Sequence, residues 1–293
     1  MKKLKAFFSL IRVKHYLKNG LIFLPLFFAV KLTDVGLLLR TLAGFAAFCL
    51  AASLIYVVND IRDIEKDRQH STKCNRPLPS GAISVGAAIA IAAVFGLGAI
   101  AILIALQSWA AGVILALYVA LNFGYSFGLK NVPVLDLVIL ASGFVLRVLF
   151  GGAVSGIEVS NWLLLVMAAG ALYMGMGKRR GELRREGEGT RAVNKYYSVG
   201  FLDRNMYLCL ALTIAFYSLW CLTSSTIGDF ANGDSVIWSV IVLLVLVIRY
   251  NYVIEGDSDG DPVSVITRDP MLLILAALYV IYMGLVVYVP FGG

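Results

Sequence analysis

The sequence predicts an all-α, polytopic membrane protein, and three observations support that fold class. The chain of 293 residues is 60% hydrophobic and only 15% charged, with a mean hydropathy of +0.84. This composition is too apolar for a soluble domain. Long apolar runs alternate with short polar segments, and the basic residues are concentrated in some of these segments and scarce in the others. We therefore predict one transmembrane domain over residues 1–293, without soluble inserts.

Apolar runs of about 17 to 25 residues can cross the hydrocarbon core of a bilayer as α-helices. The sequence contains nine such runs, so we predict nine transmembrane helices. Their ranges are roughly 19–32, 35–58, 82–106, 109–129, 133–155, 160–177, 206–226, 236–254 and 271–290. The first run is short and contains Pro25, so this helix either begins earlier or enters the membrane obliquely.

The distribution of Lys and Arg predicts the orientation. With the N-terminus inside, 22 of the 25 basic residues lie on the cytoplasmic side, whereas the opposite side receives only Lys31. The positive-inside rule therefore predicts a cytoplasmic N-terminus. Residues 1–18 are basic and amphipathic, which predicts an interfacial segment rather than a cleaved signal peptide. The long polar loops 59–81 and 178–205 are then cytoplasmic, which favours a water-soluble cytoplasmic substrate.

Charge and cysteine content exclude two other classes of function. The net charge of +7 arises from loops between membrane spans, where orientation and anionic lipid explain it, so we expect no nucleic-acid partner. The four cysteines lack CxxC spacing, which indicates neither a disulfide framework nor a zinc site. His15 and His70 are too isolated to be read as metal ligands.

The polar loop 59–81 is where we expect the chemistry. If the preceding helix continues through it, Asp60, Asp63 and Asp67 fall on one face, within about one sixth of a turn. Converging oxygen ligands without His or Cys favour Mg²⁺. Three basic residues that a Mg²⁺-bound phosphate could use follow in the same loop: Arg68, Lys73 and Arg76. The alternative is a solvated loop with scattered charges.

Arg147 is the most informative residue inside a predicted span. An ionisable side chain near the middle of a transmembrane helix costs at least about 2.5 kcal/mol. We therefore expect Arg147 to face a polar cavity and to bind an anion. The alternative is that its guanidinium extends to the membrane interface.

Further candidates lie at the cytoplasmic ends of the predicted helices. Asn122, Tyr125 and Lys130 follow one another at the end of the fourth. Lys130 is a candidate phosphate ligand, whereas Tyr125 either hydrogen-bonds a sugar or phosphate or anchors the helix at the interface. In the second loop, Lys178, Arg179 and Glu182 either clamp a phosphate or hold the loop to anionic lipid.

The interfacial segment supplies the candidates for binding a lipid phosphate at the headgroup level: Lys14, Lys18 and Asn19. Lys18 and Asn19 lead directly into the first predicted span. For Lys14, membrane anchoring alone is an equal alternative.

The run Asn59-Asp60-x-x-Asp63-x-x-x-Asp67, placed after the second helix, resembles the first aspartate motif of the UbiA-type intramembrane prenyltransferase superfamily. The resemblance covers nearly the whole chain. It implies a bundle of nine helices around a cytoplasm-facing cavity, with loops 59–81 and 178–205 at the active site. Ordinary members carry a second acidic motif after the sixth helix, but this chain has Lys178-Arg179-Arg180-Gly181-Glu182 there.

That departure is similar to one branch of the family, the decaprenyl-phosphate phosphoribosyltransferases. The similarity is carried by residues 12–19, 59–81 with His70, 125–136, 143–147 and 178–182. It implies transfer of a 5-phosphoribosyl group from phosphoribosyl pyrophosphate to a polyprenyl phosphate, with release of pyrophosphate. It further implies a prokaryotic cytoplasmic membrane, contact with membrane lipids and a role in cell-wall arabinan biosynthesis, and it leaves homo-oligomerisation open.

The resemblance also assigns roles to residues. Asp60, Asp63 and Asp67 would hold Mg²⁺ on the leaving pyrophosphate. The residues that would bind the substrates are Asn59, Arg68, Lys73, Arg76, Asn122, Tyr125, Lys130, Arg147, Lys178, Arg179 and Glu182. Two alternatives stay open: an ordinary UbiA enzyme that transfers a prenyl group to an aromatic or glycerol-phosphate acceptor, and a transporter with Arg147 on its substrate path.

Overall fold

The computed structural model describes residues 2–69, 72–186, 192–256 and 262–290, and over these residues it contains helices and turns but no strand. The all-α prediction is therefore confirmed. The α-helices are α1 (Lys2–Leu10), α2 (Leu24–Phe28), α3 (Val35–Arg62), α4 (Ile64–Arg68), α5 (Val85–Leu106), α6 (Trp109–Phe127), α7 (Leu135–Ser155), α8 (Asn161–Glu186), α9 (Val199–Thr223), α10 (Ser239–Glu255), α11 (Pro262–Arg268) and α12 (Pro270–Tyr288). Short 3₁₀ helices connect several of them, and the longest is Val13–Phe23.

Seven segments of the described chain are long and apolar enough to cross a membrane. They are α3, α5, α6, α7, α9, Gly233–Glu255 and α12. Two of the nine predicted spans are not among them. Residues 19–32 contain the end of the 3₁₀ helix and the five-residue α2, and the sixth predicted span lies in α8, whose last third is highly charged. The number nine therefore stays a prediction.

Polar residues define where several of the long helices begin. The first amides of an α-helix lack partners within the helix, and a side-chain oxygen just before it can accept their hydrogen bonds. Asp34 accepts from the Leu37 amide at 3.0 Å, and Asp269 accepts from the Leu272 amide at 2.7 Å. Ser84 and Ser198 play the same part for α5 and α9. Short polar residues between apolar runs thus fix the helix starts.

The described chain forms two compact units. The first comprises Met1–Leu26, Leu32–Phe127 and Leu146–Glu158. In its core the Phe48 ring lies 4.5 Å from the ring of Tyr118 and 5.2 Å from that of Phe150, measured between centroids. Arg40 donates at 2.6 Å to the carbonyls of Leu106 and Val154, which lie at the ends of α5 and α7. It thereby satisfies carbonyls that have no partner within their own helices.

The second unit comprises Phe27–Lys31, Gly128–Val145 and Val159–Gly293. Within it α8 packs along α9. One apolar cluster surrounds Tyr173, Met206 and Tyr250, and another surrounds Trp220 and Val287. Each unit is assembled from distant parts of the sequence, and the single domain over 1–293 remains a prediction.

In the first unit, Gly151 allows the 3₁₀ helix Val13–Phe23 to approach α7 closely. A Cβ atom built on Gly151 would overlap the main-chain carbonyl of Ile22, which is itself fully buried in the core of the unit. Backbone atoms cannot move aside as the end of a flexible side chain can. The close approach therefore requires glycine at this position.

We expect Gly151→Ala to lower the free energy of unfolding by about 1 to 3 kcal/mol, because the added methyl group overpacks the contact with Ile22. The measurement is thermal unfolding in detergent. Gly112→Ala is the matched control, since a Cβ there meets nothing within 4 Å. In the control, alanine should raise stability by up to about 1 kcal/mol through helix propensity. Equal effects of the two substitutions would contradict the close approach.

Candidate active site

The aspartate loop begins where α3 ends. The helix does not continue uninterrupted, because Asp63 adopts φ −94° and ψ 9° and separates α3 from α4. Asp60 and Asp67 nevertheless converge. The Nη1 atom of Arg76 lies 2.7 Å from Asp67 Oδ2 and 3.4 Å from Asp60 Oδ1, and the two carboxylates are only 5% and 3% exposed. A two-helix geometry thus brings together two of the three predicted aspartates.

Arg12 is a second cation at this site, and it is not among the ligands predicted from the sequence. Its Nη2 atom donates to Asp60 Oδ1 at 2.6 Å, and its guanidinium lies 4.6 Å from the centre of the Tyr56 ring. Buried carboxylates are costly unless a cation is paired with them. Arg12 and Arg76 supply that compensation for Asp60 and Asp67.

The oxygen donors of this loop fit a divalent cation. Among the described residues, Asn59 Oδ1 is buried and has no hydrogen-bond donor, directly beside Asp60 in the chain. A buried carbonyl oxygen without a partner is unfavourable and is satisfied when it coordinates a cation. Over the same residues no three His, Cys, Asp or Glu side chains are already grouped as a metal site. The donor set is present, but guanidinium groups occupy its carboxylates.

The other basic residues of the loop are placed differently. Arg68 is exposed and pairs with the exposed Glu65 at 2.8 Å. Lys73 is exposed in the 3₁₀ turn Lys73–Asn75. His70 lies outside the described residues. Of the predicted bases in this loop, Arg76 therefore belongs to the buried cluster, and Arg68 and Lys73 lie on its surface.

Arg147 lies buried in the same unit. Its Nε atom donates to Asn19 Oδ1 at 2.8 Å, and its Nη2 atom donates to the Tyr118 hydroxyl at 3.1 Å. The guanidinium also lies about 5 Å from the ring centres of Phe48 and Tyr118. The expected internal position of this arginine is thus seen, in a setting of amide, hydroxyl and aromatic groups.

The remaining candidates of the first unit are dispersed. Asn19 is 1% exposed, and besides Arg147 it contacts Cys49 Sγ at 3.1 Å, so it lies in the interior. Lys14 is exposed and Lys18 half-buried. Asn122 donates to the Tyr118 carbonyl one turn earlier in α6 at 2.8 Å, and Tyr125 is half-buried near the end of that helix.

The second unit contains a buried network at the start of the basic loop. Arg179 is 1% exposed, and its Nε atom donates to Asp136 Oδ2 at 2.8 Å. Its Nη1 atom donates to Glu182 at 2.7 Å. Tyr197 donates to the other oxygen of Asp136 at 2.6 Å and accepts from the Val134 amide. Arg179 is therefore held by internal carboxylates, whereas Lys178 and Lys130 are half-buried.

Burial and the hydrogen bond to Asp136 raise the pKa of Tyr197 to about 12. Its hydroxyl group therefore stays protonated at physiological pH and remains a hydrogen-bond donor. It contributes to stability up to the pKa of an unfolded tyrosine, about 10, and this contribution is lost as the pH rises from there through about 12.

Asn194 is a buried polar residue that is not among the candidates predicted from the sequence. It is 1% exposed, three residues before Tyr197, and neither its Oδ1 nor its Nδ2 has a partner among the described residues. A buried amide without partners is costly, which marks this turn as a place for a bound water or polar ligand. A lone Asn in a charged loop gives no signal of this in a sequence.

Three comparisons relate the chain to known proteins. The model of the UbiA prenyltransferase family matches residues 21–273. A protein of Mycolicibacterium smegmatis named decaprenyl-phosphate phosphoribosyltransferase is 32% identical over 95% of this chain and 91% of its own length. The protein of the same name in Corynebacterium glutamicum is 34% identical over 84% of this chain and 75% of its own length. A solved structure of an Archaeoglobus fulgidus UbiA homologue, bound to DMAPP and Mg²⁺, has a TM-score of 0.71 with 18% identity, covering 96% of this chain and 98% of its own.

We expect Arg179→Met to lower the free energy of unfolding by about 3 to 5 kcal/mol, because it leaves Asp136 buried without its cation. Thermal unfolding in detergent measures the loss. The matched control is Arg184→Met, which breaks an exposed pair with Glu255 and should cost under about 1 kcal/mol. If both variants unfold like the wild type, the buried pair does not stabilise the loop.

Proposed function

We propose that this chain, which belongs to the UbiA prenyltransferase family, is a membrane-embedded, Mg²⁺-dependent polyprenyl-phosphate phosphoribosyltransferase. It would transfer a 5-phosphoribosyl group from phosphoribosyl pyrophosphate to a polyprenyl phosphate of the decaprenyl type. The relatives named for this activity match most of the chain, and their names support the choice of substrates. In this proposal the active site faces the cytoplasm and the N-terminus is cytoplasmic.

The observation that carries the proposal is the buried Asp60–Asp67 pair beside the unpartnered Asn59 Oδ1. Asp60, Asp63 and Asp67 would hold Mg²⁺ together with Asn59, and Asp63 lies at the junction of α3 and α4. When bound, the cation supplies charge neutralisation for the pyrophosphate that leaves. Two buried carboxylates and an amide oxygen suit this hard cation better than zinc.

The protein's own residues would act by position and charge. An oxygen of the lipid phosphate attacks the anomeric carbon of the ribose while the bond from that carbon to pyrophosphate breaks. No general base is required, because the lipid phosphate is already ionised near pH 7. Arg76, which contacts both carboxylates, would bind the pyrophosphate that forms, together with Arg68 and Lys73 at the surface of the same loop.

The basic loop favours phosphoribosyl transfer over prenyl transfer. In phosphoribosyl transfer, one metal-bound diphosphate needs one carboxylate cluster. The ribose 5-phosphate and the lipid phosphate are two further anions, and they need cations. Residues 178–182 are mainly basic, and Arg179 and Glu182 are held in the network with Asp136. The groups that we propose for the ribose 5-phosphate and the lipid phosphate are Lys130, Lys178 and Arg147, with Lys14 and Lys18 at the headgroup level.

An ordinary prenyl transfer is the second candidate. It is favoured by the fold shared with the Archaeoglobus fulgidus homologue, which was solved with a prenyl diphosphate. That enzyme class would consume a prenyl diphosphate in the presence of an aromatic or glycerol-phosphate acceptor. It would not need phosphoribosyl pyrophosphate.

We expect purified protein in detergent to move label from radioactive phosphoribosyl pyrophosphate into an extractable polyprenyl lipid, with Mg²⁺ required. Asp60→Asn and Asp67→Asn should each lower the rate by at least about 100-fold, because each removes a charge that neutralises the leaving group. Glu65→Gln is the matched control: Glu65 is an exposed carboxylate of the same loop, and the rate should stay within about twofold.

Two results of this assay would contradict the proposal. If no label enters the lipid while a prenyl diphosphate is consumed with an aromatic acceptor, the chain is an ordinary prenyltransferase. If both Asp variants keep the wild-type rate, the buried pair is not the metal site.

A further inference from the structure

The N-terminal segment, here residues 11–19, is hydrogen-bonded to one face of α3. The contacted α3 residues are Cys49, Ser53, Tyr56 and Asp60, which are spaced four, three and four apart and therefore share a helix face. Ser53 donates to the Ile11 carbonyl at 2.9 Å, and its hydroxyl lies 2.7 Å from that of Tyr16. The last contact of this face is the one from Arg12 to Asp60.

The backbone of Arg12 is held in an unusual conformation. Its φ of 54° and ψ of 49° lie in the left-handed region, which residues with a Cβ rarely adopt. The backbone is anchored before and after the Arg12 Cα, since the Ile11 carbonyl accepts from Ser53 and the carbonyl of Arg12 itself accepts from the His15 amide at 2.8 Å. The segment thus positions this side chain at the cost of local strain, as is common at functional sites.

Arg12 competes for one of the two carboxylate oxygens with which Asp60 could bind a cation. Asp60 Oδ1 accepts from Arg12 Nη2 at 2.6 Å and lies 3.4 Å from Arg76 Nη1. A divalent cation on Asp60 would carry its own positive charge into the same space, and like charges this close repel one another. Binding of a cation to Oδ1 of Asp60 therefore requires the guanidinium of Arg12 to leave this oxygen.

Once displaced, Arg12 can bind the anion that accompanies the cation. Its Cα stays fixed by the contacts to α3, so its guanidinium remains within reach of whatever anion the cation brings. A guanidinium binds phosphate oxygens through two parallel hydrogen bonds and keeps its charge at any physiological pH. Its side chain is 23% exposed, whereas that of Asp60 is 4% exposed, so Arg12 can move on the open side of the pair.

We propose that Arg12 is a further substrate-binding residue that exchanges partners: it pairs with Asp60 in the metal-free protein and binds the diphosphate once a divalent cation occupies Asp60. The proposal rests on the proposed function in that it takes the aspartate loop as the metal site. Binding of the cation alone would cost the ion pair between Arg12 and Asp60. Binding of the cation and the diphosphate together would replace that pair with contacts from Arg12 to the diphosphate. The two would therefore bind cooperatively.

The test measures binding of Mn²⁺ and of pyrophosphate separately, in detergent and without a lipid acceptor. Free Mn²⁺ is followed by electron paramagnetic resonance, and radiolabelled pyrophosphate by equilibrium dialysis with Mn²⁺ present. In Arg12→Gln we expect Mn²⁺ alone to bind about tenfold more tightly and pyrophosphate about tenfold more weakly than in the wild type. Lys5→Gln, which removes an exposed charge from α1, should change neither affinity.

Effects of opposite sign distinguish exchange from a structural role. If Arg12 only fastens the N-terminal segment, Arg12→Gln weakens Mn²⁺ binding or leaves it unchanged, and the proposal is overturned. Arg12→Lys guards against a variant that fails to fold, because it keeps the charge beside Asp60. It should bind pyrophosphate about threefold more weakly than the wild type, since an ammonium group lacks the paired donors, and unchanged binding would overturn the proposal.

Pyrophosphate serves as the probe because both candidate reactions use a diphosphate. If the wild type binds Mn²⁺ and pyrophosphate with the predicted opposite effects in Arg12→Gln but does not turn over phosphoribosyl pyrophosphate, the exchange stands and the proposed substrate is wrong. If turnover is seen but the two affinities do not move in opposite directions, the proposed function stands and the exchange is wrong.

Discussion

Asp60 accepts hydrogen bonds from two arginines while its own side chain is almost fully withdrawn from water, and the arrangement of the first unit depends on this pairing. One guanidinium comes from the N-terminal segment and the other from the loop that follows α4. Each is drawn to the end of α3 because a buried carboxylate without a cation would cost several kcal/mol. The negative charge of Asp60 that attracts guanidinium groups would also attract a divalent cation.

The second unit uses the same principle for a different purpose. Asp136 is fully buried, and both of its oxygens are engaged, one by Arg179 and the other by Tyr197. This joins the start of α7, the charged end of α8 and the turn before α9. The pair at Asp60 is partly open to solvent through its arginines, whereas the pair at Asp136 is closed. An open pair can exchange partners, but a closed pair can only hold its elements together.

Much of the fold could be predicted from the sequence because hydropathy is a local property. Seven of the predicted spans correspond to long apolar segments, and the polar residues that start several helices were visible as Ser and Asp between apolar runs. The break at Asp63 was not predicted, because the charge pattern alone does not show where a helix ends. The first span was also uncertain, since residues 19–32 are divided between a 3₁₀ helix and α2.

The contacts of this charged cluster were predictable only where its members are close together in the chain. Asp60, Asp67 and Arg76 lie within one loop, and their charges indicated a common site. Arg12 is 48 residues from Asp60, so nothing in a single sequence pairs them. The contact of Arg179 was likewise unpredictable, because its partner is distant in the chain. In a basic loop Arg179 was predicted to be a phosphate ligand, but its partner Asp136 lies 43 residues earlier in the chain.

Charge balance connects these observations to the chemistry. In a family whose ordinary members hold one diphosphate between two acidic motifs, the replacement of the second motif by Lys178-Arg179-Arg180 would leave excess positive charge unless the substrates bring more phosphate. Here part of that charge is already neutralised within the protein, since Arg179 pairs with Asp136 and Arg180 with Asp203 and Glu255. The surplus available to substrates is therefore smaller than the composition of the loop indicates.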